Sequence, residues 1–413
     1  MWLLISLITN LGLLFVFKYT YFIYDGIQIF GSTGNQNLPD LGIRIILPLG
    51  ISFYTFQTIS YTIDTYRKVI KPEKNFLAFL TYVTFWPQLI AGPILRAKEV
   101  IPQLLAERKA NMRDIIPGVE RIIAGLFKKV VLADTIAVMV DSAFDLDPNL
   151  FSAYDVWAAA ILFGFQIYFD FSGYSDIAIG SARILGIRFP ENFNFPYLSL
   201  SPKDFWKRWH ISLSSWVRDY LYLPLIGQPV RTESTGGLAV AAEQDGNNKR
   251  TLALFLAWFI MGLWHGAAWT FGIWGLYHAL LLFVYRKFRI LNVLIEKTPV
   301  LAWSLMFALA TVGWIPFRAQ SLSQAGIMFL KIINPLEYTL SVTFFRAVHP
   351  FHVYGIIALM AGMLLTWYFT TSGRVKEQFN GIFPAIKFVR IAVMVFFVLL
   401  YLKTTNQFIY FQF

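Results

Sequence analysis

FWKRWHISLSSWVRDYLYLP, from Phe205 to Pro224, and MGLWHGAAWTFGIWG, from Met261 to Gly275, each set one histidine between tryptophans in otherwise membrane-like sequence. A group that titrates near neutrality is costly in such a setting unless it has a task. His210 and His265 are therefore the first candidates for chemistry. Everything else is read outward from them.

The surrounding chain is built for lipid. Of its 413 residues, 57% are hydrophobic and 14% charged, against roughly 25% charged in an ordinary soluble domain. The net charge of +11 is scattered through short loops between apolar runs, as a positive-inside topology requires, and it forms no patch suited to nucleic acid. No cysteine is present, which excludes disulfides, thiolate metal sites and a cysteine acyl-enzyme. The first residues, MWLLISLITNLGLLFVF, lack a basic leader and a small-residue cleavage site, so they read as a retained span.

Apolar runs of about 20 residues cross a bilayer. Met1 to Tyr24 and Leu41 to Ile63 qualify, and the loop after them, DTYRKVIKPEKN, is basic and hence cytoplasmic. Phe76 to Leu95 is interrupted by Pro87 and Gly92-Pro93 and flanked by basic loops on both sides, which predicts re-entry from the cytoplasm within surrounding protein. Val119 to Val140, Ala153 to Ile184, Trp269 to Tyr285, Val300 to Phe317, Leu322 to Ile332, His352 to Thr370 and Ile386 to Leu402 follow. The expectation is an all-α polytopic membrane protein with about ten to eleven membrane segments, some re-entrant. Residues 1–413 read as a single domain with one flexible polar loop at 227–250.

Ser201, Pro202 and Asp204 mark a helix start. On that helix Trp206, His210, Leu213 and Val217 share one face, and the helix is expected to lie amphipathically at the interface or to dip into the protein. Its tryptophans, with Trp264 and Trp269, then suit an interfacial belt. Lys207, Arg208 and Arg218 would make an anion-attracting surface beside His210, able to orient a donor's phosphates or a developing oxyanion.

Thr251 to Trp264 carries the chain roughly 20 Å inward, placing His265 below the surface. There a buried imidazole is either a hydrogen-bonding strut or a neutral general base. His278 falls about 220° around an unbroken helix from His265, so it points elsewhere or acts from behind unless the glycines break the helix. In QIYFDFSGYSDIAIG, Gln166, Asp170 and Tyr174 recur at helical spacing. The acids are either held by buried cations such as Arg183, or by backbone groups, or line a wet cavity facing the site. No histidine pair has HxxxH or HxH spacing, and His349 and His352 flank Pro350, so no metal site is expected. Nucleotide-binding glycine motifs and a GxSxG elbow are absent. On these grounds an enzyme and an ion- or proton-coupled transporter both remain open.

The runs PLGISFYTFQTISYTID, PQLIAGPILR, QIYFDFSGYSDIAIG, IRFPENFNFPYLS, FWKRWHISLSSWVRDYLY, GLWHGAAWTFGIWGLYH, LATVGWIPFRA and FIYFQF form an ordered series over nearly the whole chain. In this series the sequence resembles the membrane-bound O-acyltransferase family, in its alginate O-acetyltransferase-like branch. The resemblance implies a ring of helices around a central funnel, with His265 near its floor and His210 on the donor side. It implies transfer of a short acyl group, most often acetyl, from a cytoplasmic thioester such as acetyl-CoA, a co-substrate and not a bound cofactor, to a hydroxyl of an exported polysaccharide. Trp264, Gln166, Asp170 and His278 are expected to line the substrate path. Periplasmic helper acetyltransferases and a bacterial inner-membrane location are implied as well. Other branches of the family acylate proteins or peptides. The branch also leads one to expect further hydrophobic segments ahead of Met1 and a shorter connector at Gly227–Arg250.

Overall fold

Long apolar runs punctuated by Pro, Asn, Gly and Ser fold into helices whose ends fall at the punctuation. A computed structural model describes residues 1–31, 45, 48, 50–89, 92–107, 111–228, 248–339 and 383–402, with no strand among them. In chain order the helices are α1 (Trp2–Gly31), α2 (Ile51–Tyr66), α3 (Phe76–Thr84), α4 (Ala97–Leu105), α5 (Met112–Leu126), α6 (Asp134–Asp145) and α7 (Ala153–Ile184). They continue as α8 (Pro202–Arg208), α9 (Ile211–Val217), α10 (Asn248–His265), α11 (Trp269–Lys287), α12 (Arg289–Lys297), α13 (Pro299–Arg318), α14 (Leu322–Ile333) and α15 (Phe383–Tyr401). Two π-helical stretches, Phe127–Ala133 and Arg218–Tyr222, follow α5 and α9.

Among the described residues, three helices are long and apolar enough to cross a membrane by length and composition: Trp2–Tyr24, Ala153–Ile184 and Pro299–Arg318. The expected segment His352–Thr370, the histidines 349 and 352, and most of the 227–250 loop lie outside the described residues. The interrupted run after Phe76 behaves as its prolines require. α3 ends at Thr84, and the described residues between it and α4 form no helix. Neighbouring side chains meet its freed backbone groups, with Tyr82 Oη donating to the Leu95 carbonyl at 3.0 Å and Ser212 Oγ accepting from Ile94 N at 2.9 Å.

The described residues fall into two compact units, one within Met1–Ile115 and Ser181–Gly313, the other within Ile116–Gly180 and Trp314–Gln412. In the first, α1 joins α2 through Ser6–Thr62 and Thr58–Asn10 hydroxyl and amide contacts at 3.1 and 2.6 Å. These are the polar links that hold helices together where apolar burial gives little drive. α10 and α11 form an antiparallel hairpin. A Cβ on Gly262 would strike the Phe271 carbonyl oxygen, so glycine sets the spacing of that pair.

In the second unit, α5 and α7 touch backbone to backbone, since a Cβ on Gly173 would lie 2.8 Å from the Gly125 carbonyl. Beside this contact the π-helical turn points Lys129 inward, and its ammonium pairs with Asp134 at 2.7 Å and Asp170 at 2.6 Å. Lys128 and Arg121 hold Asp176 at 2.7 and 2.9 Å. The acids of the α7 motif are thus held by cations, the buried Lys129 and the half-buried Lys128 and Arg121. Arg183 pairs with Asp114 instead.

Two substitutions test this packing. Gly262→Val should cost about 2 kcal/mol through overpacking, read as a lower melting temperature in detergent. Lys129→Met should cost about 3–5 kcal/mol by stranding two buried carboxylates, and adding Asp134→Asn with Asp170→Asn should restore most of it.

Candidate active site

The helix expected to run through His210 is broken there. α8 begins as its sequence demands, with Ser201 Oγ accepting from Asp204 N at 3.2 Å and Pro202 in the first turn. It stops at Arg208, and His210 takes a left-handed backbone, φ 41° and ψ 56°. A non-glycine residue there costs on the order of 1–3 kcal/mol and persists only where surroundings impose it. Asn192, fully buried in the IRFPENFNFPYLS connector, does the imposing. Its carbonyl accepts from Ile211 N at 3.0 Å, and its side-chain Oδ1 accepts from Ser212 Oγ at 2.8 Å and Ser212 N at 3.3 Å. His210 Nδ1 lies 3.1 Å from the same oxygen. Because the Ser212 amide can only donate, the atom it meets is an acceptor, so Nδ1 carries the proton. In the neutral ring, Nε2 then holds the lone pair.

His265 closes α10. The last turn of a helix leaves carbonyls without helical partners, and here α1 supplies them. Lys18 Nζ donates to the Trp264 carbonyl and, at 3.1 Å, to that of His265, while Tyr19 Oη donates to Leu263 at 3.0 Å. After His265 the chain turns through Gly266 to Ala268 and starts α11 at Trp269. The glycine-containing turn therefore does break the helix, and His278 comes back to the site. Trp274 touches both rings, with its centroid 5.1 Å from His265 and 4.9 Å from His278. His210, His278 and Lys18 are all near enough to His265 to interact electrostatically with it.

Aromatic stacking joins the parts. Phe56 of α2 lies flat between Trp216 at 3.9 Å and Trp264 at 5.0 Å, and Trp216 Nε1 donates to the Phe56 carbonyl at 3.0 Å. Trp206 Nε1 points at His278 Nδ1, 3.4 Å away. That donor puts the His278 proton on Nε2, which meets no hydrogen-bond partner among the described residues. These tryptophans are not an interfacial belt: Trp206, Trp209, Trp216 and Trp264 are buried, and of the five only Trp269, 47% exposed, faces outward.

The basic residues beside His210 are otherwise engaged. Arg208 pairs with Asp204 at 2.9 Å. Arg218 is buried against Asp219 at 2.6 Å, and Arg96 meets the other oxygen of the same carboxylate at 2.6 Å. Lys207 is exposed. Desolvation pushes the Tyr220 phenol above its ordinary range despite the opposing Arg96, so it stays protonated and donates to Asp64 at 2.8 Å. Asp170 and Gln166 belong to the second unit, where Asp170 is paired with Lys129 and Gln166 is buried. No cluster of three or more His, Cys, Asp or Glu able to hold a metal occurs among the described residues.

Two buried histidines whose ring nitrogens meet an asparagine and a tryptophan, and a third at a helix end, are thus set among tryptophans in a helical protein. The model of MBOAT, the membrane-bound O-acyltransferase family, matches residues 67–303, which include all three. The chain belongs to that family. It is similar to a probable alginate O-acetylase of Azotobacter vinelandii, 40% identical over 342 residues, covering 82% of this chain and 64% of that protein. A peptidoglycan O-acetyltransferase of Helicobacter pylori is 38% identical over 364 residues, 81% of this chain and 64% of that protein. A teichoic acid D-alanyltransferase of Bacillus subtilis is 30% identical over 272 residues, 64% of this chain and 66% of that protein. The chain thus spans somewhat less than two thirds of the length of the first of these relatives.

Asn192 carries the tautomer assignment. Asn192→Ala should shift the ring nitrogen resonances of His210 in 15N-histidine spectra toward a mixture of tautomers. An unchanged Nδ1 signal would show that another group holds the proton.

Proposed function

We propose that this protein transfers a short acyl group, acetyl, from a cytoplasmic thioester donor to a hydroxyl of an exported polysaccharide. The convergence of His210, His265 and His278 in one buried aromatic setting, within the stretch that matches the O-acyltransferase family, carries this reading. Acetyl is favoured over D-alanyl because the relatives named for O-acetylation are 38–40% identical, against 30% for the D-alanyltransferase.

In this reading His265 is the general base. Its imidazole takes the proton of the acceptor hydroxyl as that oxygen attacks the thioester carbonyl. The new C–O bond forms, the tetrahedral intermediate collapses with loss of the C–S bond, and the imidazolium returns its proton to the departing thiolate. His210, its Nδ1 held by Asn192, offers Nε2 as a second proton acceptor on the donor side. The donor is a co-substrate, acetyl-CoA, that arrives and leaves. Its anionic portion falls to exposed cations such as Lys207, since Arg208 and Arg218 are committed to carboxylates. Placement in a bacterial inner membrane completes the proposal, with periplasmic partner proteins presenting the polysaccharide to the site.

Purified protein in liposomes, given labelled acetyl-CoA and a hydroxyl-bearing polymer, should transfer label. His265→Ala should lower the rate at least about a hundredfold, the usual worth of a positioned base, with little change in melting temperature. An active His265→Ala variant removes the base assignment. Absent transfer together with a proton current lost in Asp170→Asn would replace the enzyme reading with transport.

A further inference from the structure

We propose that Lys18 is a positioning residue for His265, holding the imidazole in its reactive place from a helix with no other charged side chain between Trp2 and Tyr24. This rests on the reading of His265 as general base. Within Trp2–Tyr24, Lys18 is the single charged side chain. A lone ammonium in a span is expensive unless something specific receives it.

What receives it is the end of α10. Lys18 donates to the carbonyls of Trp264 and His265, and Tyr19 to that of Leu263, so two adjacent residues of α1 satisfy three of the last four carbonyls of the histidine-bearing helix. The charge also suits the negative end of the helix dipole. The same ammonium sits 5.9 Å from the Trp264 ring centroid. One turn further along α1, Phe22 packs against Trp269 at 5.5 Å. α1 therefore braces the chain on both sides of the Gly266 turn.

The consequence is mechanical. The backbone of His265 is the last point of regular helix before the turn, and its ring has no long tether to correct a displacement. Were the terminal carbonyls released, the last turn would fray and the ring would move relative to the incoming hydroxyl. A misplacement of about 1 Å is enough to cost on the order of a hundredfold in rate. Binding of the donor, which depends on other surfaces, should be left as it is.

The test uses the full chain in liposomes and two readouts. Lys18→Met should lower kcat about ten- to a hundredfold with the KM for acetyl-CoA within about twofold of the parent, and Lys18→Arg, which keeps a cation and its donors, should recover most of it. In histidine-labelled spectra, with the His265 signal assigned through His265→Ala, Lys18→Met should broaden or split that signal while those of His210 and His278 stay in place. An unaltered His265 signal overturns the proposal whether or not the parent protein transfers acetyl, and so does a fall in all three histidine signals together. Should Lys18→Met fail to accumulate, Tyr19→Phe removes one of the three bonds and should produce the same spectral change on a smaller scale. If the parent itself shows no transfer, the enzymatic reading fails while the spectra still decide the role of Lys18.

Discussion

One amide oxygen, Oδ1 of Asn192, governs the local architecture of the first histidine. It gathers Ser212 Oγ, Ser212 N and His210 Nδ1 about itself in a fully buried place. An unmet carbonyl there would cost about 1–3 kcal/mol, so the surrounding chain arranges itself to meet it. The arrangement requires α8 to stop and α9 to restart, with His210 in a left-handed turn between them. The strain in that turn and the hydrogen bonds to Asn192 are two sides of one constraint. What the constraint produces is a ring whose orientation and proton position are fixed by the fold itself.

A second constraint is aromatic. Trp216, Phe56 and Trp264 stack in series, linking α9, α2 and α10, and Trp274 stands between His265 and His278. Rings of this size exclude water and offer few hydrogen bonds. The imidazoles are consequently left with the partners that specific residues supply. Trp206 supplies one to His278, and Asn192 one to His210. The glycine at position 262 lets α11 approach α10 closely enough for this cluster to close.

Much of this was legible in the sequence, and the limits have physical causes. Apolar runs map onto helices because lipid leaves the backbone no other partner: Val300 to Phe317 became Pro299–Arg318, and Leu322 to Ile332 became Leu322–Ile333. The Ser201 cap was readable because capping is local. The break at His210 was not, because no Gly or Pro marks it and its cause, Asn192, lies 18 residues away. The tryptophans were misread as a belt because composition does not distinguish a ring facing lipid headgroups from one stacked inside. Lys129 went unnoticed because one of its two partners, Asp170, becomes a neighbour only when α7 packs on α5, and the π-helical turn that brings Asp134 to it carries no Gly or Pro mark. Lys18 did leave a signal, a lone charge in an apolar span, but its acceptors lie 246 and 247 residues along the chain.

The distribution of charge bears on what the histidines can do. Around the site, formal charge is consistently cancelled: Arg208 by Asp204, Arg218 and Arg96 by Asp219. A buried charge without a partner carries a penalty of several kcal/mol, so the Arg218 and Arg96 pairs with Asp219 are structural necessities before they are anything else. Together the three pairs commit Arg208, Arg218 and Arg96 to carboxylates, leaving Lys207 as the exposed cation beside His210. Of the basic surface beside His210, the two arginines are therefore spent on the fold, and the His210 ring itself is held by directional hydrogen bonding. Lys18 is the exception that fits the rule: its charge is met by carbonyl dipoles, not by a carboxylate. A carboxylate beside His265 would favour the protonated ring, whereas carbonyls at a helix end receive the ammonium without offering the imidazole a counter-ion. A site that needs a lone pair on nitrogen is better served by the second arrangement.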